Sequence, residues 1–279
     1  MLNCTFLHIR QLGAAREAEL WREGILSHDD LVGHETGARL EERWGWYEPT
    51  RKALAEGDPE YILAGLPTRE HFRAALTYPA ETVFLDIETT GLSPDYEDIT
   101  IVGWSLGGRF GVIVVGRDDP RKLFDDLARA KALCTFNGKS FDMRFIMSRW
   151  PETKVPAAHA DLRHVARRAG YAGGQKRIEE EIGLERDTGV SNGEDAVRLW
   201  WEYRDRGRPA ARRREALREL INYNHLDVEG MKHVFEAAVA RFSRDGTLPR
   251  GIDFGGRFSS LVQEPFTDPE TFPFSLETF

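Results

Sequence analysis

Residues 82–92 read TVFLDIETTGL and predict a buried strand that ends in two acids. The run is rich in β-branched and aromatic residues, and Gly91 ends it. Because side chains alternate between the two faces of a strand, Asp86 and Glu88 should share the face on which Phe84 enters the core. Neighbouring carboxylates at the end of an apolar strand repel each other unless a cation lies between them, and hard oxygen ligands suit Mg²⁺ or Mn²⁺. The alternative is a strand that ends in two solvated acids.

The sequence after this strand predicts an α/β fold. Two further apolar runs, ITIVGWSL at 99–106 and RFGVIVVG at 109–116, read as strands that Gly107-Gly108 joins in a tight turn. A fourth strand, ALCTF, lies at 132–136 between predicted helices. Strands that first form an antiparallel meander and then alternate with helices predict a mixed sheet, in which parallel strands follow the meander and helices flank both.

The 279 residues divide into three predicted parts. Residues 1–80 have helical periodicity and are expected to form an extension that packs on the core, whereas residues 81–242 contain the α/β domain. A long helix is predicted at 210–242. Residues 243–279 contain four prolines and several phenylalanines without a helical period, which predicts an extended tail on the surface.

Composition and charge limit the classes of function. With 41% hydrophobic residues the chain can bury a core, so disorder of the whole chain is excluded. It has no apolar run near the roughly 18 residues of a membrane helix, no signal-peptide pattern, and too few cysteines for a disulfide framework. We therefore expect a cytoplasmic protein without a membrane partner.

The net charge of −8 opposes unspecific binding to nucleic acid, so such binding requires local cations or metal ions. The charge is uneven, because residues 204–218 contain seven arginines and two acids. This segment is either a track for phosphates or a solvated helix face.

A second acidic motif, NGKSFDMRF at 137–145, follows the fourth strand. Asn137 and Gly138 should lie in the loop at the carboxyl end of this strand, where α/β sheets bind ligands. Asp142 should lie in the first turn of the next helix, which Ser140 is expected to cap. The alternative explanation of Asp142 is a favourable interaction with the helix dipole.

A third motif, YNHLD, lies in the long helix. Asp227 follows Leu220 by seven residues and precedes Met231 by four, which places it on the apolar stripe, where an unpaired charge is costly. Tyr223 is one turn earlier on the same face. The alternative is a buried aspartate that is hydrogen-bonded to a buried tyrosine.

Together, the three motifs would supply enough oxygen ligands for two divalent cations about 4 Å apart. The ligands would be Asp86, Glu88, Asp142 and Asp227. Such a pair of cations activates a water molecule and neutralises a phosphodiester. Tyr223 would mainly orient that water, because the ordinary tyrosine pKa of about 10 disfavours proton transfer.

The motifs resemble those of the DEDD (DnaQ-like) exonuclease superfamily, which has the ribonuclease H-like fold. DIETTG resembles its first motif, N-x-x-x-F-D-x-x-F its second and Y-x-x-x-D its third, as in the tyrosine (DEDDy) subgroup. FLHI at 6–9 and EAELWREGI at 17–25 are similar to phrases of the YprB-like branch, in which several members have histidine in place of Tyr223. The resemblance covers residues 1 to about 242, and it leaves His225 without an assigned role.

The resemblance implies a two-metal-ion exonuclease that uses Mg²⁺ or Mn²⁺ to release mononucleotides from the end of a single-stranded nucleic acid, 3′ to 5′. It implies catalytic roles for Asp86, Glu88, Asp142, Tyr223 and Asp227, with the four acids as metal ligands. The alternatives are 5′-directed or endonucleolytic cleavage at the same site, or a non-catalytic nucleic-acid-binding module of the same fold.

The same resemblance implies substrate contacts around the acids. Thr89, Thr90 and Leu92 would hold the end of the strand, and Asn137 and Phe141 would line the same cleft. DNA is favoured over RNA as the partner, although no residue identifies a contact to a 2′-hydroxyl. A protein partner could also dock on the aromatic residues of the C-terminal tail.

Overall fold

The computed structural model describes residues 1–186, 190, 192–264, 266, 272–274 and 276. Within them the chain forms a five-stranded sheet with the strand order β3-β2-β1-β4-β5. The strands are β1 (Thr82–Thr89), β2 (Ile99–Leu106), β3 (Arg109–Val114), β4 (Ala132–Thr135) and β5 (Ala158–Asp161). The first three pair antiparallel, whereas β4 and β5 extend the sheet parallel to β1. The predicted mixed sheet is therefore confirmed.

The turn between β2 and β3 is the tight turn that its two glycines predict. Gly107 and Gly108 have φ angles of +58° and +73°. Both lie in the left-handed region that a type I′ hairpin turn requires and that glycine adopts without steric cost. The turn fixes the antiparallel register, in which Leu106 is opposite Arg109.

Helices flank the sheet, as predicted. They are α1 (Ala14–Arg22), α2 (His28–Gly33), α3 (Glu35–Trp44), α4 (Tyr47–Ala55), α5 (Glu60–Gly65), α6 (Phe72–Thr77), α7 (Arg121–Arg129), α8 (Asp142–Arg149), α9 (Leu162–Arg168), α10 (Gln175–Glu181), α11 (Gly193–Arg204) and α12 (Ala210–Asp245). The long helix predicted at 210–242 is thus α12. None of the helices in the described ranges is both long and apolar enough to cross a membrane.

Side-chain alternation along β1 divides the core in two. Val83, Leu85 and Ile87 of β1 pack with α7 and α8 in one hydrophobic cluster. Phe84 packs with α12 and the N-terminal helices in a second cluster. Asp86 and Glu88 continue the Phe84 face, so the strand directs both carboxylates toward α12.

Residues 1–80 share the α12-side cluster and are held by a buried ionic network. Arg73 is 2% exposed and forms ion pairs at 2.9 Å with both Glu17 and Glu70. Glu17 also accepts a hydrogen bond from the backbone N–H of Phe6 at 2.7 Å. Glu17 therefore joins α1 both to α6 and to the segment that precedes α1.

Part of the C-terminal segment is buried. Leu248, Phe254 and Phe258 are at most 1% exposed, and the Phe258 ring lies 5.2 Å from that of Phe84. The predicted surface location of 243–279 is wrong for these residues, because burial of large apolar side chains outweighs the lack of regular structure. Much of the remaining tail lies outside the described residues, and the division into three domains stays a prediction.

The aromatic residues near the carboxyl end contact one another and the sheet. Phe274 lies 5.7 Å from Phe110 of β3 and 5.4 Å from Phe266, between ring centroids. Phe272 lies 5.7 Å from Phe266. These rings have partners within the chain, and the docking of a protein on the tail stays a prediction.

Candidate metal centre

Three carboxylates converge at the carboxyl end of β1. Oxygen atoms of Asp86, Glu88 and Asp227 lie within 4.8 Å of one another. β1 contributes two of them by alternation, and α12, which packs across β1 and β2, contributes the third. Oxygens bound to one Mg²⁺ at about 2.1 Å lie within about 4.2 Å of each other. Small side-chain shifts would therefore fit this donor set to a hard divalent cation.

Asp142 reaches the same region from the other side of the sheet. It is the first residue of α8, which packs on the α7 side, and it is 3% exposed. The backbone N–H of Ile87, the residue between Asp86 and Glu88, acts against burial by lowering the pKa of this carboxyl. Asp142 lies outside the group of three, yet its charge raises the pKa of both β1 acids.

Burial raises the pKa of every acid in the centre, and the charges of neighbouring acids raise it further for Asp86, Glu88 and Asp142. Burial is the largest cause for Asp86 and Glu88, followed by the charge of Asp227. Burial also raises the pKa of Asp142 to about 7, and it raises the pKa of Asp227 despite the opposing charge of Arg186. A bound divalent cation would compensate this repulsion and favour the ionised form of the acids.

Asn224, inside the third motif, connects α12 to β1. It is fully buried, and its amide donates to Asp86 Oδ2 at 2.9 Å and to the Asp86 carbonyl at 3.3 Å. A glycine in β2 makes this approach possible, because a Cβ at Gly103 would lie 1.7 Å from Asn224 Oδ1. The sequence motif did not identify Asn224 as a partner of Asp86. Gly103 was an indirect signal, because a glycine inside an apolar strand often marks the close approach of another group to the backbone.

Replacing Gly103 by alanine is expected to destabilise the protein by about 2–3 kcal/mol, because the new methyl group would overlap Asn224 inside a packed core. Urea unfolding measures this loss. Gly33→Ala is the matched control, since a Cβ there meets no atom within 4 Å and should leave stability unchanged. Equal stability of the two variants would mean that Asn224 can move away from Gly103 without cost.

Arg186 and Glu179 hold Asp227 from the side of α10. Arg186 Nη1 lies 2.5 Å from Asp227 Oδ1, and its other nitrogens lie 2.5 and 2.6 Å from the two Glu179 oxygens. Space for Glu179 depends on Gly230, where a Cβ would lie 2.0 Å from Glu179 Oε1. Gln175 donates both to Glu179 and to the Asp227 carbonyl. This network fixes Asp227 and compensates part of the negative charge of the centre.

Tyr223 lies one turn before Asp227 and is 5% exposed. Its hydroxyl accepts a hydrogen bond from Lys176 Nζ at 2.8 Å, and the same ammonium lies 4.4 Å from the ring centroid. Burial, followed by the charges of Asp227 and Glu88, raises the Tyr223 pKa above its ordinary value. The hydroxyl therefore keeps its proton, which suits the positioning of a water molecule.

The loop after β1 has an exposed apolar tip. Thr89 Oγ1 donates to a carbonyl of the same loop at 2.6 Å, and Thr90 Oγ1 donates to Glu97 at 2.5 Å. Both hydroxyls thus stabilise the loop itself. Leu92, which the sequence predicts to contact the substrate, is 86% exposed. Tyr96, four residues later in the same loop, is 88% exposed.

Asn137 lies in the predicted loop after β4, with a φ angle of +67°. Asp161 holds this loop by accepting the backbone N–H groups of Asn137 at 2.9 Å and Lys139 at 3.2 Å. The predicted cap of α8 by Ser140 is wrong, because its hydroxyl donates to the Asn137 carbonyl and Phe141 holds the N-cap position. Phe141 is half-buried, and its ring packs against that of Phe145 in α8.

His225 packs against β3. Its ring lies 4.5 Å from Phe110 and is stacked at 4.3 Å on Phe266. Burial lowers its pKa to about 4, so it is uncharged at neutral pH. We assign it to the hydrophobic core.

A sequence model of the RNase_H superfamily matches residues 83–239, which is more than half of the chain. The matched range includes all four acids and Tyr223. No curated protein matches the chain in sequence.

Several solved structures are similar to the chain. One is described as the apo form of the nuclease, with 22% identity over 63% of this chain and 79% of that chain and a TM-score of 0.44. The family B DNA polymerase of the hyperthermophilic archaeon Pyrobaculum calidifontis has 16% identity over 57% of this chain and 26% of the polymerase, with a TM-score of 0.41. The Aedes aegypti Nibbler EXO domain has 12% identity over 69% of this chain and 91% of that domain, also with a TM-score of 0.41.

Proposed function

The chain belongs to the RNase_H superfamily, and from this membership we propose that it is a metal-dependent exonuclease of the tyrosine DEDD type. It hydrolyses phosphodiester bonds at the end of a single-stranded nucleic acid, with DNA favoured over RNA. The direction is 3′ to 5′, and the products are mononucleotides. Two Mg²⁺ or Mn²⁺ ions are the cofactors.

The observation that carries this proposal is the convergence of Asp86, Glu88 and Asp227 from β1 and α12. Crowded carboxylates destabilise a fold unless they bind a cation, so a purely structural role does not explain them. Asp142 adds the fourth carboxylate that a two-ion site requires. The complete set of acids also favours an enzyme over a non-catalytic binding module.

Bound divalent cations would neutralise the phosphodiester and lower the pKa of the attacking water. The protein supplies the positioning. Asn224 holds Asp86, and Arg186 holds Asp227. Because the Tyr223 oxygen accepts its hydrogen bond from Lys176, its own O–H remains available to orient a water molecule.

The loop after β1 supports an action at strand ends. Leu92 and Tyr96 offer exposed apolar surface in the loop that follows the acids of β1, and a nucleobase can stack on such a surface. Phe141 precedes Asp142 at the start of α8, and Asn137 lies in the loop before it. We assign both to the wall of the cleft opposite the β1 loop. Thr89 and Thr90 shape the loop, and we assign this loop to the terminal nucleotide.

Single-stranded DNA and RNA labelled at either end, together with a circular strand, test the proposal in the presence of Mg²⁺, Mn²⁺ or EDTA. We expect a 3′ label to be released at once as a mononucleotide and a 5′ label to give a ladder of shortening products. The circle and all EDTA samples should remain intact. Cleavage of the circle would contradict the exonuclease, and activity in EDTA would contradict the metal centre.

Replacing Tyr223 by phenylalanine is expected to lower kcat about 10- to 100-fold, because the water loses one orienting partner while the metal ligands stay in place. The affinity for Mn²⁺, measured by thermal shift titration, should not change. Tyr61→Phe, at an exposed tyrosine of α5, is the control and should keep full activity. An unchanged rate for Tyr223→Phe would make Tyr223 a packing residue.

A further inference from the structure

A single strand that enters the centre brings a row of phosphates toward an acidic protein. The net charge is −8, and bound cations can neutralise only the phosphate at which cleavage occurs. The phosphates next to it require cationic side chains of the protein. Two regions contain several arginines, namely α9 and residues 204–218.

Most arginines of residues 204–218 already have partners in the protein. The ion pairs are Arg208–Asp205, Arg212–Glu202, Arg212–Glu219 and Arg218–Glu215. Arg213 is buried and donates to the Tyr203 carbonyl. Much of the positive charge is thus compensated locally, which favours a solvated helix face over a track for phosphates.

Within the described residues, two arginines of helix α9 form no ion pair. The same is true of Arg206 and Arg214, but the two α9 arginines differ from these because they line a cavity that Gln175 also lines. Arg163 and Arg167 are four residues apart on one helix face, and both are exposed. Neither forms an ion pair with any residue that the structure describes. The adjacent Arg168, by contrast, pairs with Glu70 at 2.7 Å and lies over the Phe72 ring.

The two arginines border a cavity between α9 and the start of α10. Asn137 and Gln175 line this cavity together with Arg163 and Arg167. Arg163 Nη1 donates to Asn137 Oδ1 at 2.7 Å, and Gln175 donates to the Asp227 carbonyl at 2.7 Å. Gln175 therefore connects the lining of this cavity to the α12 turn that carries Asp227, a predicted metal ligand.

On the basis of the proposed function, we propose that Arg163 and Arg167 bind the backbone phosphates of the substrate strand next to the cleaved bond. The ligand is a run of consecutive phosphodiesters of a single-stranded nucleic acid. The planar guanidinium fork matches phosphate oxygens, and one helical turn between the two side chains lets them contact successive phosphates. This contact lets an acidic protein retain a strand of several nucleotides.

Binding of a fluorescent single-stranded oligonucleotide in Ca²⁺ tests the proposal, with a gel to verify that the strand stays intact. The variants are Arg167→Gln and Arg163→Gln/Arg167→Gln. The single variant isolates the phosphate contact, because it leaves the hydrogen bond between Arg163 and Asn137 intact. We expect the double variant to bind at least 10-fold more weakly, and the slope of log affinity against log salt to fall by about 0.7 per arginine.

Arg22→Gln is the matched control, because Arg22 is an exposed arginine at the end of α1. Arg22→Gln removes the same charge. It should keep the affinity within twofold of that of the original protein and should leave the slope of log affinity against log salt unchanged. An affinity of the double variant within twofold of the original protein would overturn the proposal. An equal loss for Arg22→Gln and Arg167→Gln would also overturn it, since net charge alone would then explain the effect.

A small substrate separates this inference from the proposed function. The p-nitrophenyl ester of thymidine 5′-phosphate contains the cleaved bond but no neighbouring phosphate. We expect Arg167→Gln, which leaves the Arg163–Asn137 contact in place, to hydrolyse this ester at the original rate while it degrades oligonucleotides about threefold more slowly. A parallel loss on both substrates would overturn the phosphate contact, whereas an original protein that hydrolyses neither substrate would contradict the proposed function itself.

Discussion

Replacing Asp86 by asparagine is expected to lower the rate of hydrolysis about 10³-fold and, at the same time, to stabilise the metal-free protein. The rate falls because Asp86 is one of three carboxylates whose oxygens lie within 4.8 Å of one another. Stability rises because burial and the charges of Asp227, Asp142 and Glu88 raise the Asp86 pKa, so its ionised form is unfavourable in the fold. We expect a gain of roughly 1–3 kcal/mol in EDTA at pH 8.

The pH dependence of this gain has a definite sign. The pKa of Asp86 is higher in the folded than in the unfolded protein, so the folded state binds the proton more tightly. In the absence of metal, Asp86 therefore lowers stability progressively as pH rises above the unfolded pKa of about 3.9. The stabilising effect of Asp86→Asn should be largest at pH 8 and should almost disappear at pH 4. Thermal unfolding in EDTA at both values measures it.

Two variants provide the comparison for Asp86→Asn. Asp227→Asn should lower the rate of hydrolysis as much as Asp86→Asn does. It should stabilise the metal-free protein only slightly, because it also breaks the ion pair between Asp227 and Arg186. Asp126→Asn changes another buried aspartate, which accepts a hydrogen bond from Trp104, and should keep full activity. Full activity of Asp86→Asn would refute the metal centre, and a loss of stability would refute the repulsion among its acids.

The sequence predicted the acids of the centre because each lies in a regular element. Strand alternation placed Asp86 and Glu88 on one face, and the helical stripe placed Asp227 toward the sheet. These periodicities are local, so they can be read without knowledge of the tertiary contacts. The mixed sheet followed in the same way from the order of strands and helices.

The supporting residues could not be predicted, because their contacts connect distant segments that share no motif. Glu179 and Arg186 belong to α10 and the loop after it, and they contact α12 more than forty residues later. Asn224 had one indirect signal, the glycine at position 103 of an apolar strand. Phe258 was misplaced because the prolines around it outweighed its own preference for the core.

Replacing Arg73 by methionine is expected to cost about 3–5 kcal/mol of unfolding free energy, the largest loss of stability that we predict for a single substitution. Arg73 is 2% exposed and compensates two carboxylates, Glu17 and Glu70, that are each 1% exposed. It also donates to Thr5 Oγ1 at 2.7 Å. Without the guanidinium, Glu17 would be a buried anion with only neutral hydrogen-bond donors.

Urea unfolding of Arg73→Met measures this loss, and two further variants identify its cause. Arg69→Met removes an arginine that is 71% exposed and lies 3.6 Å from the same Glu70, so it should cost less than about 1 kcal/mol. Adding Glu17→Gln to Arg73→Met removes the uncompensated charge while keeping an acceptor for the Phe6 N–H. It should therefore recover a large part of the stability. If the double variant is no more stable than Arg73→Met, the loss comes from the missing side-chain volume, and the buried charge is not what makes Arg73 necessary.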